Sequence, residues 1–205
     1  MKPVPESWTI VIVGRWNIAI LNPKWLAANI FNEKQIAVEF PVEPGLPLRI
    51  TGDKVLLIPI EDRIILGLTE ISNGFLKRME AIAIQLLEKL PHTPVVKVGI
   101  NFGYIIDKVP DQLREHFPNP DAPIFADQKL KPISRSYRWS YEDNGQTINM
   151  FFELKDDELS IKFNFDSASP STEKTIESIK GRVMGHKKKT EEILKQTYNL
   201  TMEKS

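Results

Sequence analysis

Between Ser134 and Asp166 the chain alternates in character through three consecutive runs. In the first, Arg135, Tyr137, Trp139 and Tyr141 interleave with Ser134, Ser136, Arg138 and Ser140. In the second, Ile148, Met150, Phe152 and Leu154 share one parity, with Asn149, Phe151 and Glu153 on the other. In the third, Leu159, Ile161, Phe163 and Phe165 oppose Ser160, Lys162, Asn164 and Asp166. Successive strand side chains point to opposite faces, so a period of two describes a sheet covered on one side and wet on the other. Asn144-Gly145 and Asp156-Asp157 separate the runs, and the first is the strongest short hairpin signal there is. The segment is therefore an antiparallel meander, and the rest of the chain must supply its cover.

Cover is available as two amphipathic helices. Behind the cap Ser72, the residues Phe75, Leu76, Met79, Ile82, Ala83, Leu86, Leu87 and Leu90 recur at helical spacing until Pro91 stops them. Ser169-Pro170 opens a second long helix with Ile176, Ile179 and Val183 inward. Its stripe is lost around Gly185-His186 and resumes at Ile193-Leu194, which predicts a bend there. Further strands are expected over Trp8–Gly14, Gln35–Phe40, Leu48–Thr51, Lys54–Ile60, Arg63–Leu68 and Val95–Ile106. A turn is expected at Gly52-Asp53, and a break at Glu43-Pro44-Gly45. Short helices follow Pro23 and Pro110. Residues 118–132, with four prolines, read as a long loop that is either functional or mobile.

Written as elements, residues 1–92 and 93–205 follow the same order: strand, short helix, several strands, long helix. An offset of 87 lays Pro23 on Pro110, Leu26 on Leu113 and Ile30 on Phe117. The predicted fold is α+β, with duplicated β-α-β-β-β-α halves joined into one pseudo-symmetric body. Its wide antiparallel sheet carries the helices on one face. This order resembles the saddle repeat of the TATA-box-binding protein family at the level of topology. No sequence motif of that family falls on numbered positions here, so the resemblance implies a fold and not DNA binding.

Composition excludes several chemistries. Among 205 residues there is no Cys, hence no disulfide framework, no thiolate metal site and no thiol nucleophile. Twenty-seven basic residues balance 27 acidic ones, so no global charge draws the chain to polyanions. No secretory leader and no apolar run of membrane-spanning length is present, and the expectation is a soluble, cytoplasmic protein without a membrane partner.

No motif specifies a reaction, and neither a cofactor nor a metal site is expected. Glu153-Leu154-Lys155 matches the Glu-x-Lys end of a metal-dependent nuclease pattern, with Asp143 as a possible upstream acid, although Asp143 and Lys155 both fall at hairpin turns. Ser171-Thr172-Glu173-Lys174 matches Ser-x-x-Lys but reads as a first helical turn. His92, His116 and His186 are scattered. Lys180, Arg182, Lys187, Lys188 and Lys189 make the last helix locally basic, a nucleic-acid candidate whose alternative is a solvated helix face. The strongest expectation concerns Val55, Leu57, Ile64 and Leu66. With Thr9, Val11 and Val13, they leave the N-terminal sheet apolar on both faces, and something must cover it: the 118–132 loop, a second copy or a partner protein. The expected role is a non-catalytic binding or adaptor protein acting through that interface, with a protein partner or homo-oligomer.

Overall fold

The computed structural model describes residues 1–41, 43 and 45–203. Pro44, on which a break was expected, lies outside the described residues. Ten strands form a single antiparallel sheet: β1 (Lys2–Pro3), β2 (Thr9–Gly14), β3 (Ala37–Glu39), β4 (Arg49–Gly52), β5 (Val55–Ile60), β6 (Arg63–Leu68), β7 (Val95–Ile106), β8 (Ser134–Asp143), β9 (Gln146–Lys155) and β10 (Glu158–Ala168). Their order across the sheet is β3-β4-β5-β6-β2-β7-β10-β9-β8, and β1 pairs with the far end of β7. The leading strands of the two sequence halves, β2 and β7, lie side by side at its centre.

The helices are α1 (Pro23–Leu26), continued by a π turn over Ala27–Phe31, then α2 (Asn73–Lys89), α3 (Asp111–Arg114), α4 (Ala122–Asp127), α5 (Thr172–Ile179) and α6 (Val183–Tyr198). In α2, Ser72 Oγ accepts the N–H of Phe75 at 3.1 Å, so the start predicted from sequence is a real cap. Leu76, Met79, Ile82, Ala83, Leu86 and Leu87 turn inward and are buried. Each large one contributes about 1.5–3 kcal/mol by leaving water, which outweighs any propensity term in the same helix. They meet the sheet through Ile10, Ile12, Leu57, Ile64 and Leu66, all without exposed surface. On the other half, α5 and α6 lie over β7, and Phe102, Phe163 and Phe165 fill the layer beneath. Trp8 anchors the centre: it is fully buried, packs edge-on against Phe102 and Tyr104, and donates its indole N–H to Gly103 O at 2.9 Å.

Several local expectations shift. The β4–β5 turn uses Asp53-Lys54, both at positive φ (44° and 65°), not Gly52-Asp53. Gly52 is needed earlier, because a Cβ there would sit 2.6 Å from the Phe31 ring. Proline inside β5 is tolerated because Pro59 lies beyond the last residue that β4 pairs. The final helix starts two residues later than predicted, with Ser171 in place of Ser169 as the cap, its Oγ accepting the N–H of Lys174 at 3.3 Å. Its break falls at Lys180–Arg182, where Gly181 takes a φ of 72°, while Gly185-His186 continues as regular helix. The 118–132 segment contains α4 and buries none of its side chains fully, and it touches β8 where Pro118 O accepts the Tyr137 hydroxyl at 2.7 Å. Among the described residues no helix is long and apolar enough to cross a membrane.

Candidate functional site

Strand pairing decides which residues share the helix-free face. Val55, Leu57, Ile64 and Leu66 do not: each is 0% exposed, paired across β5 and β6 on the helix side. The proposed interface set is therefore core, and the correction is one of parity, since a one-residue step in a strand exchanges its faces. The apolar residues on the open side are their neighbours. Ile58, Ile65 and Val11 stand in one row across β5, β6 and β2, with Leu56 and Val13 flanking it, and all are half-buried. Among the described residues the long helices α2, α5 and α6 all pack on the other side. What rises from it is the three-residue turn Pro5–Ser7, seated where a Cβ on Gly103 would stand 2.2 Å from that of Ser7.

Past β2 the same face becomes polar. Ser140 Oγ donates to Asn149 Oδ1 at 2.7 Å, Asn149 Nδ2 to Asn164 Oδ1 at 3.0 Å, Asn164 Nδ2 to Asn101 Oδ1 at 2.9 Å, and Asn101 Nδ2 to Thr9 Oγ1 at 3.0 Å. One hydrogen-bonded file thus crosses β8, β9, β10, β7 and β2. Linked amides polarise one another and hold a single arrangement. Gly99 makes room for it, because a Cβ there would lie 2.7 Å from Asn164 Nδ2. Beside the file, the Arg138 guanidinium sits 4.9 Å from the centre of the Phe151 ring. Phe151 and Lys162 separate two shallow depressions, one of about 290 Å³ reaching Ser136 and Glu153, the other of about 260 Å³ reaching Ser7 and Asn101. The residues expected on the wet face of this half, Ser136, Arg138, Asn149, Glu153, Lys162 and Asn164, all lie on it.

The nuclease set is not brought together. Glu153 and Lys155 share the open face near the far end of β9, whereas Asp143 closes the opposite end of the hairpin on the helix side. Seven residues separate Asp143 from the partner of Glu153, about 24 Å at ~3.4 Å per residue. Among the described residues no three His, Cys, Asp or Glu side chains gather as a metal site. The Ser171-x-x-Lys174 pair is the helix cap described above. The basic stretch is largely neutralised. Lys187 pairs with Glu191 at 3.1 Å, Lys188 with Glu192 at 3.6 Å and Lys189 with Asp143 at 2.5 Å. Lys180 and Arg182 belong to the α5–α6 joint.

A second cleft, of about 520 Å³, opens between the β8–β9 turn and the α5–α6 joint, with Gln146, Glu177, Arg182 and His186 on its walls. His186 stacks on Phe165 with ring centres 4.2 Å apart. Burial, aided by Arg182 and Lys189 and opposed by Asp143, pushes its pKa down to about 4, so it is neutral near pH 7. Arg182 and the Lys189–Asp143 pair line the cleft together with Glu177, a mixed lining that selects no single charge.

Two groups of open-face residues escaped the sequence reading. The first is Leu56, Ile58 and Ile65, missed because both parities of their strands are apolar. The second is the amide file, part of which was legible. Ser140 and Asn149 are equidistant from the Asn144-Gly145 turn, and Asn149 and Asn164 from Asp156-Asp157. Asn101 was not, since it joins through a pairing between strands distant in sequence. No protein-family model matches the chain, and no match is found among curated proteins.

Proposed function

We propose that the chain is a non-catalytic binding protein that docks a protein partner on the helix-free face of its sheet. The supporting observation is the row Ile58–Ile65–Val11, which lies on the face opposite α2, α5 and α6, with an ordered polar field beside it. Apolar side chains of this size on an antiparallel sheet favour a covering partner. The polar file and the Arg138–Phe151 pair would orient it, since directional hydrogen bonds reject misaligned partners. The two halves read as copies of one unit, with β2 and β7 adjacent at the centre and the remaining strands fanning outward on each side. On that reading one copy of the face has become adhesive and the other selective.

A photo-crosslinking residue in place of Ile65, expressed in the source cells, is expected to yield a discrete protein adduct. The adduct should be absent when the same residue replaces exposed Lys77 on α2, and should be lost on adding Val11→Lys. Equal labelling from both positions, or none from Ile65, would rule the reading out.

A further inference from the structure

The two edges of the sheet are not alike. At one, β3 is three residues long and two positions short of Pro41, so it offers little to pair with. At the other, β8 is ten residues long, pairs with β9 without a bulge at any position, contains no proline or glycine, and has no strand beyond it. Proteins usually blunt such an edge with lysines, prolines, bulges or a covering segment. β8 has no lysine, proline or bulge, and its four charged residues, Arg135, Arg138, Glu142 and Asp143, are of opposite sign at its two ends, so they repel a random strand less than they fit a reversed copy.

The turn establishes which backbone groups are free. Asn144 and Gly145 both have positive φ (51° and 78°), so the β8–β9 hairpin closes on Asp143 and Gln146 as a hydrogen-bonded pair. Alternation from that pair directs the N–H and C=O groups of Arg135, Tyr137, Trp139, Tyr141 and Asp143 toward β9. Those of Ser136, Arg138, Ser140 and Glu142 point outward. None of these outward groups takes part in any other backbone hydrogen bond among the described residues.

The side chains are complementary to their own reversal. Charge runs from Arg135 at one end to Glu142 and Asp143 at the other. An antiparallel second copy centred on Trp139 sets Arg135 opposite Asp143, Ser136 opposite Glu142, Tyr137 opposite Tyr141, and Arg138 opposite Ser140. Every pair then shares a face, as an antiparallel ladder requires, whereas centring on Arg138 would set Arg138 against itself. Tyr141 is 53% exposed in the single chain and would gain an aromatic neighbour. Asp143 already holds Lys189 and would accept Arg135 of the other copy as a second cation.

We propose that the chain forms a homodimer by antiparallel pairing of β8 with β8 of a second copy, centred on Trp139. On the order of eight backbone hydrogen bonds close the joint. The pairing consumes the one long edge among the described strands, so assembly ends at two copies and does not propagate into a fibre. Its two-fold axis stands perpendicular to the sheet, so both helix-free faces look the same way. A bivalent binder results, with avidity beyond that of one face. The dimer itself does not depend on the face-docking reading.

Light scattering on the purified full chain is expected to give about 47 kDa, twice the 23.5 kDa of one chain, at micromolar concentration and above. Ser136→Pro removes one outward N–H while leaving the β9 ladder whole, and should yield a monomer that keeps the wild-type circular dichroism and a cooperative melt, at the lower melting temperature expected once the dimer is lost. Ile65→Lys, on the open face, should leave the dimer intact. Trp139→Cys supplies the only thiol in the chain at a non-hydrogen-bonded position on the axis, where Cα atoms approach to about 4.5 Å, and should form a disulfide-linked dimer on mild oxidation. A 23.5 kDa mass at every concentration overturns the proposal and leaves the edge to a strand from another protein. A dimer that survives Ser136→Pro and gives no Trp139→Cys crosslink overturns it equally.

Discussion

His186 shows how one residue carries a pH dependence that its position in the sequence does not announce. Its ring lines the cleft and stacks on Phe165, with Gln146 Nε2 at 3.4 Å from its Nε2. Because its pKa in the folded chain is about 4, against about 6.5 when unfolded, the unfolded state takes up the proton first. Stability from this group is complete above pH 6.5, falls as the pH drops toward 4, and changes no further below that. The melting temperature of the wild type should therefore fall between pH 6.5 and 4 more steeply than that of His186→Gln. Parallel curves in a thermal scan series would show that the ring is solvated. The amide file makes a related point: Asn149 is only 6% exposed on a nominally open face, tolerated because neighbouring amides and hydroxyls satisfy it.

At the scale of elements, the joint between α5 and α6 is held from outside. Glu80 on α2 accepts the N–H of Gly181 at 2.8 Å and that of Val183 at 3.0 Å, one with each carboxylate oxygen. It thus caps a helix more than a hundred residues away and places negative charge at its positive end. Glu80→Ala leaves both donors without that partner and should cost about 1–2 kcal/mol in a urea titration, while Glu80→Gln, which keeps one acceptor, should cost less. The prediction that the last helix would bend was sound, and its location was not. The apolar stripe lapses at Gly185-His186, yet that pair is regular helix and Gly181 is the residue with positive φ. Sequence offered two glycines four apart, and only Glu80, arriving from another helix, distinguishes them.

At the scale of the molecule, the sheet is continuous through β2, β7 and β10, and the two sequence halves share it. The segment joining β7 to β8 is the exception: Ile124, Phe125, Leu130 and Ile133 are all more than 40% exposed along it. Limited trypsin should cut first after Lys129, which is exposed, because the Lys131–Pro132 bond resists the protease. The two fragments should co-elute on gel filtration, because ten residue pairs between β7 and β10 still join them. Separation of the fragments would mean that residues 118–132 contribute to the fold, although none of their side chains is fully buried.

How far the fold was legible follows from range. The amphipathic stripe of α2, its Ser72 cap, the Asn144-Gly145 hairpin and the three alternating runs after Ser134 are set by residues within a few positions of one another. The sequence alone therefore determined an antiparallel sheet with helical cover. It also placed the polar face of β8, β9 and β10 correctly, because those strands contrast sharply between parities. Where contrast vanished, as in β5 and β6, pattern could not say which of Leu56 or Leu57, Ile64 or Ile65, faces out. The packing of α2 onto one side decided it. Tertiary structure alone also aligned Asn101 and Thr9 with the amide file, drew Asp143 away from Glu153, and left β8 as the unguarded edge. Each of these depends on which strands become neighbours, a choice made by burial summed over the whole chain and not by any local run.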